Sequence, residues 1–117
     1  MAGRVEIITV SAPKYAIPGE FFAAEMYATN WGDDDYCGLI ITTQPNIGWM
    51  KEGYGMKRLT GDTWSIGVPI RMIASSVTII FQAGHWLDKD HLAIDDTKKL
   101  VVEPSTAKLQ VTGSQVT

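Results

Sequence analysis

Aspartate and histidine side chains are the groups in this sequence that are best suited to chemistry. Two histidines and two aspartates occur together in the segment His85–His91, and three consecutive aspartates occupy positions 33–35. Carboxylate oxygens are the ligands that Ca²⁺ prefers, in sets of six to eight at about 2.4 Å, whereas imidazole with carboxylate suits transition metals. If the fold brings these segments together, the sequence predicts a calcium site. The candidate ligands are Asp33, Asp34, Asp35, Asp88, Asp90 and Asp95.

Two other interpretations of the aspartates stay open. Aspartate favours turns because its side chain bonds to nearby backbone amides, which accounts well for Asp33 and Asp62. No EF-hand-like spacing is present, and the two histidines are compatible with solvated loop positions. Alternatively, an acidic end can meet a basic end of a second copy, where Lys14, Lys51 and Arg71 are candidates, and such contacts build rings or filaments.

No arrangement typical of an enzyme is found. The chain has no glycine-rich phosphate loop and no nucleophile elbow. Cys37 alternates with apolar residues of a strand pattern, which is typical of a small buried hydrophobe rather than a nucleophile. The net charge of −3 disfavours a nucleic-acid partner. We therefore predict a non-enzymatic protein with protein partners and no cofactor, calcium being the one possible exception.

The elements that must position these side chains are β-strands. The 117 residues fit one domain, and a 45% hydrophobic content is typical of a globular chain. Short alternating segments separated by turn residues predict an all-β sandwich of about seven antiparallel strands in two sheets. The predicted strands are Arg4–Val10, Phe21–Ala28, Tyr36–Thr43, Gly55–Leu59, Trp64–Ile70, Ser75–Gly84 and Lys98–Glu103.

The order of these strands places every aspartate at one end of the sandwich. Thr60–Thr63 has the composition of a hairpin turn between the fourth and fifth strands, and His85–Asp96 is a polar link between the last two. In an up-and-down order, these two links and the link after the second strand share one end. We call it the acidic end, and we expect Trp31 and Trp86 to lie there too.

Alternation also assigns the faces of the strands. The predicted core consists of Phe22, Met26, Leu39, Ile41, Trp64, Ile66, Ile79 and Phe81. Several strands also carry apolar residues on the outward face, namely Ile8, Val10, Phe21, Tyr27, Ile40 and Ile80. Such an outward face either is covered by the loop Gln44–Tyr54 or is a partner surface. The predicted partner contacts are Trp31, Ile40, Trp49, Met50, Ile80, Trp86, Leu109 and Val111.

The C-terminal residues form a separate extension. We predict a sandwich over residues 1–104 and an extension over 105–117, in which Ala107, Leu109 and Val111 alternate with polar residues as in a strand. Our hypothesis is that this strand pairs with an exposed sheet edge of a neighbouring subunit. The alternative is that it adds an edge strand to its own sheet.

One segment carries a resemblance to a known family. Pro18-Gly19-Glu20 precedes the alternating strand, and Asn30-Trp31-Gly32-Asp33 follows it. This pattern resembles the second strand of an immunoglobulin-like sandwich, of the cell-adhesion-related (CARDB-like) module type of bacterial and archaeal surface proteins. Because the chain has one cysteine, it differs from the disulfide-linked antibody type.

The resemblance and the composition together predict a function class. We expect a structural or interaction module in a repeated assembly, such as a virion surface or decoration protein or a filament subunit. The alternative is a calcium- or carbohydrate-binding cell-surface module that uses the acidic end with its tryptophans. The first residues hold no apolar signal run and no stretch has the length of a membrane helix, so we expect no membrane insertion and a virion or extracellular surface setting.

Overall fold

Every described strand belongs to one of two β-sheets. The computed structural model describes residues 5–32, 36–47, 51–57, 61, 63–88 and 90–105. The strands are β1 Val5–Ser11, β2 Tyr15–Ala16, β3 Phe21–Asn30, β4 Tyr36–Gln44, β5 Lys51–Lys57, β6 Thr63–Arg71, β7 Val77–Asp88 and β8 His91–Pro104. One sheet has the order β1-β3-β6 and the other β2-β8-β7-β4-β5. The predicted sandwich of seven antiparallel strands in two sheets is confirmed, and the two-residue β2 adds a short parallel pairing with β8.

The turn before β3 follows the sequence directly. The Ile17 carbonyl accepts the Glu20 N–H at 2.9 Å across Pro18 and Gly19, and Gly19 has a φ of 92°. Proline at the second turn position and positive φ at the third define a type II turn. After β3, the Asn30 side chain accepts the Gly32 N–H at 2.9 Å, as expected of an asparagine that ends a strand.

The core lies between the sheets and is formed by the inward row of each strand. Met26, Leu39, Ile41, Ile79 and Phe81 are all almost completely buried, as predicted. The other three predicted core residues are partly buried and pack against that core, namely Phe22, Trp64 and Ile66. Alternation therefore identified the correct face of β3, β4, β6 and β7.

The face prediction for the end of β1 is wrong because the strand contains an irregularity. The register with β3 shifts between Ile7 and Thr9. A bulge of this kind moves the following residues to the opposite face. Ile8 remains exposed as predicted, but Val10 turns inward and packs against the core.

The predicted hairpin over Thr60–Thr63 is also wrong. β5 pairs with β4 in the five-stranded sheet, whereas β6 pairs with β3 in the three-stranded sheet. The chain therefore crosses from one sheet to the other between these strands. Pro69 suits its place in β6, because β6 is the last strand of its sheet and proline is found mostly in edge strands.

The predicted polar link over His85–Asp96 is mostly strand. β7 continues to Asp88 and β8 begins at His91, so the two strands form a long hairpin. Its register shifts between Ala83 and Gly84, where Asp95 is the extra residue on β8. Asp95 and Asp96 therefore lie within a strand and not in a loop. No helix among the described residues has the length and apolar character needed to cross a membrane.

Candidate interaction surface

Described residues that flank the three links with aspartates lie at one end of the sandwich. The Gly61 N–H, between β5 and β6, donates to the carbonyl of Asn30 at the end of β3, at 2.6 Å. Asn30 is paired with Val5 at the start of β1, and Val5 contacts the β7–β8 hairpin through Asp95. Asp33, Asp34, Asp35 and Asp62 lie outside the described residues, so their part in the acidic end stays a prediction.

Asp95 and Asp96 link the two sheets. Asp95 Oδ2 accepts the backbone N–H of Val5 at 3.1 Å and lies 2.8 Å from Nδ1 of His85. Asp96 Oδ2 accepts the N–H of Ile7 at 2.8 Å. Since an ionised carboxylate only accepts hydrogen bonds, His85 carries its proton on Nδ1. Two carboxylates of β8 thus bind the edge of β1 that β3 leaves open.

Asp88 and His91 form a second Asp–His pair at the tip of the hairpin. His91 Nδ1 lies 2.8 Å from Oδ1 of Asp88, and the Asp90 N–H donates to the same oxygen at 2.8 Å. The Asp90 amide, followed by the His91 side chain, holds the pKa of Asp88 below its ordinary value of 3.8. The stability that this carboxylate contributes is therefore present above that value and is lost as the pH falls through the lowered pKa.

These contacts define what the described aspartates can do. Asp95 and Asp88 each already bind a histidine, and Asp90 shares the turn with Asp88. Among the residues that the structure describes, no group of three or more His, Cys, Asp or Glu side chains is arranged to hold a metal ion. A calcium site at the acidic end therefore requires ligands outside the described residues, where Asp33, Asp34 and Asp35 remain the predicted ones.

Trp31 and Trp86 lie over different sheets. Trp31 is half-exposed, and its Nε1 donates to Glu6 Oε1 at 2.9 Å on the outer face of β1. Trp86 lies on the outer face of β7, where its Nε1 would be 3.1 Å from a Cβ added at Gly38 of β4. The two indole rings consequently do not form one surface.

The outer face of the five-stranded sheet carries a group of outward apolar side chains. We call it the apolar face, and it consists of Ile40, Ile80, Trp86, Leu92, Ile94 and Val101. Ile40 and Ile80 are half-buried at the outward positions predicted for them. On β8, Ile94 and Val101 pair with Gly84 and Thr78, and their side chains are 41% and 50% exposed. The face therefore extends over three neighbouring strands.

Two glycines allow this face to pack closely. A Cβ at Gly84 would lie 2.1 Å from the carbonyl oxygen of Ala93, which is far inside contact distance. A Cβ at Gly38 would lie 3.1 Å from Trp86 and 3.2 Å from Leu92. The side chains of Trp86 and Leu92 thus extend over Gly38 of β4, which has no side chain to occupy that space.

The sequence analysis found part of this surface. Ile40, Ile80 and Trp86 were predicted as contacts, but Leu92, Ile94 and Val101 were not. Leu92 and Ile94 were assigned to the link His85–Asp96, because the glycine at position 84 interrupts the apolar pattern of the preceding strand. Extending the alternation of β7 beyond it would have placed His85 inward and Trp86 outward. The other predicted contacts, namely Trp49, Met50, Leu109 and Val111, lie outside the described residues.

Comparison with known proteins shows a fold and no family. The crystal structure of the C-terminal domain of Wzt is similar to this chain with a TM-score of 0.67 and 11% sequence identity, and the match covers 90% of this chain and 75% of that chain. At this identity the likeness shows the β-sandwich fold alone. No protein-family model matches the chain, and no curated protein matches its sequence.

Proposed function

We propose that this domain is a non-enzymatic structural or interaction module that associates with further copies through its apolar face. The observation that supports this is the presence of partly exposed apolar side chains on the outward faces of three neighbouring strands, β4, β7 and β8. A sandwich strand with a solvated outer face normally alternates apolar and polar residues. Contiguous exposed apolar patches on soluble domains usually mark contact sites.

The composition of the face suits a protein interface. Gln82, Thr97 and Lys99 lie on the same face, between the apolar residues, and can supply hydrogen bonds within a contact. An aromatic side chain, Trp86, lies within the same group, and tryptophan is among the residues that contribute most to interface energies. The setting that we propose is a repeated assembly, such as a virion surface or decoration protein or a filament. The resemblance of the segment Pro18–Asp33 to CARDB-like adhesion modules supports a surface location.

Two lysine substitutions on the apolar face test this proposal. We expect the protein to associate at micromolar concentrations, and the double variant Ile94→Lys with Val101→Lys to require at least about tenfold higher concentration, because each lysine must be desolvated on contact. Sedimentation velocity over a concentration series measures this.

Ile8→Lys is the matched control. Ile8 is 47% exposed, close to the 50% of Val101, but it lies on the outer face of the other sheet. This variant should associate like the unmodified chain. Association of the double lysine variant at unchanged concentration, or an unmodified chain that stays monomeric at hundreds of micromolar, would contradict the proposal.

The alternative is a calcium- or carbohydrate-binding surface module at the acidic end. Its support is Trp31, whose half-exposed indole is fixed by the hydrogen bond to Glu6. A fixed exposed ring can stack on an apolar ligand surface at little entropic cost. Under our main proposal, millimolar calcium leaves the thermal unfolding midpoint unchanged. A midpoint that rises with calcium, and no longer rises in Asp34→Asn with Asp90→Asn, would favour the alternative instead.

A further inference from the structure

We infer that the outer edge of β6, over Thr63–Gly67, accepts the C-terminal segment 106–112 of a second copy as an additional strand. This inference rests on the proposed function, because it names the segment and the edge through which copies of the chain are joined. It is carried by the hydrogen-bond direction of β6, by the exposure of its inward row and by the sequence of the segment.

Within the described part of the chain, the backbone of β6 has a partner strand on one side only, which is β3. The Met72 N–H donates to the Glu20 carbonyl at 2.8 Å, which fixes which residues of β6 face β3. In an antiparallel sheet, successive residues of a strand direct their backbone N–H and C=O groups to opposite sides of the strand. The amides directed to β3 are therefore those of Trp64, Ile66, Val68 and Ile70, and the odd-numbered residues direct theirs outward. Pro69 is consistent with this assignment, because it is one of the outward-directed residues and so needs no N–H for the pairing with β3.

This edge differs from the opposite edge of the same sheet. At the β1 edge, the N–H groups of Val5 and Ile7 donate to Asp95 and Asp96. On the side of β6 that faces away from β3, no second strand of the described chain pairs with Thr63–Gly67. Pro69 limits the usable length, because an added strand cannot accept a hydrogen bond from it. The stretch before Pro69 thus remains as a site for β-augmentation.

The inner side of β6 is incompletely covered along this same stretch. Val68 and Ile70 are almost fully buried, whereas Trp64 and Ile66 of the same inward row are partly exposed. The three-stranded sheet also lies against a sheet of four long strands and β2. A strand added beyond β6 would extend the shorter sheet and place apolar side chains beside Trp64 and Ile66.

The C-terminal segment has the pattern that such a position requires. Leu109 and Val111 lie on one side of an extended chain, and Lys108 and Gln110 on the other. The seven residues 106–112 in a strand span roughly 23 Å, which is enough to pair with all of Thr63–Gly67. With the apolar residues inward, the polar row follows the outer face of the sheet.

Charge on that outer face agrees with this orientation. A groove of about 430 Å³ lies on β3 and β6, where Gly67 has no side chain and Glu25 forms one wall. Lys108 would enter this region beside the Glu25 carboxylate. The opposite charges of Lys108 and Glu25 favour the proposed orientation over the inverted one. The inverted orientation would bury Lys108 against Trp64.

Cysteine cross-linking between two full-length chains tests the inference. One chain carries Ser65→Cys at the β6 edge and the other carries Gln110→Cys, while the natural Cys37 is buried and does not react. Pairing of the strands raises the local thiol concentration to the millimolar range. With a short bismaleimide we expect about tenfold more heterodimer than with Ser11→Cys, an exposed position on the opposite edge strand β1.

Two further variants define the result. Leu109→Pro in the Gln110→Cys chain should remove the enrichment, because proline lacks the N–H and does not fit a paired strand. No enrichment at Ser65 over Ser11, or enrichment that survives Leu109→Pro, overturns the inference. Cross-linking within one chain of the double variant Ser65→Cys and Gln110→Cys, persisting on dilution, would show pairing with its own edge and overturn the second-copy assignment.

The outcome is separable from that of the lysine variants on the apolar face. If the unmodified chain associates and Ile94→Lys with Val101→Lys dissociates it, but Ser65 shows no enrichment, the edge inference fails and the proposed function stands. If Ser65 is enriched while the lysine variants associate normally, the apolar face is the wrong surface and the edge carries the contact.

Discussion

Replacing Phe81 by alanine is expected to lower the free energy of unfolding by about 3–5 kcal/mol. Phe81 is the largest fully buried side chain among the described residues, and it lies in the central strand β7 between Ile41 of β4 and Lys98 of β8. Truncation removes apolar burial and leaves a cavity that strands on both sides prevent from collapsing. Urea unfolding of a monomeric preparation measures the difference.

Ile80→Ala is the control for this prediction. Ile80 is the preceding residue of the same strand, but its side chain lies on the half-buried outer face. Its truncation should cost about 1 kcal/mol, because part of the side chain already contacts water. A larger loss for Ile80→Ala than for Phe81→Ala would mean that the inward and outward faces of β7 are reversed.

The faces of the strands could be predicted because alternation is a local property. Met26, Leu39, Ile79 and Phe81 follow from a period of two residues that needs no knowledge of the partner strand. The turn over Pro18 and Gly19 is equally local, because proline and glycine restrict the backbone of that turn directly. These features are correct in the sequence analysis.

The pairing of strands could not be predicted in the same way. Thr60–Thr63 has turn-forming residues, and the chain indeed changes direction there, but turn composition does not say which sheet the next strand joins. That choice depends on whether β5 packs better beside β4 than beside β6, which is a contact between segments that are distant in sequence. The irregularity at Ile8 is similarly set by pairing with β3 and has no signal in β1 itself.

The acidic end shows the same division between local and distant information. The sequence indicates that aspartates follow several strands, and the links described here do meet at one end. It does not indicate that Asp95 accepts a hydrogen bond from an amide 90 positions earlier. A group of aspartates therefore predicted a metal site, whereas Asp95 of that group and its neighbour Asp96 bind backbone amides at the edge of β1.

Asp95→Ala is the second substitution for which we expect a large effect, about 2–3 kcal/mol of unfolding free energy. The Asp95 and His85 side chains are 8% and 11% exposed, so solvent cannot readily replace the lost acceptor. The substitution leaves the Nδ1–H of His85 and the N–H of Val5 without this carboxylate. Because Val5 begins β1, amide exchange should accelerate most along β1 and the facing part of β8.

Asp88→Ala provides a matched control, since the same chain holds a second Asp–His pair of equal length. The distance from His91 Nδ1 to Asp88 Oδ1 is also 2.8 Å, but these side chains are 70% and 58% exposed. Water replaces the partner at such a site, so the free energy of unfolding should remain nearly unchanged at neutral pH. Burial, and not the Asp–His contact as such, then determines the cost. Equal losses for Asp88→Ala and Asp95→Ala, or a stable Asp95→Ala protein with unaltered exchange in β1, would show that the link between β8 and β1 does not stabilise the sandwich.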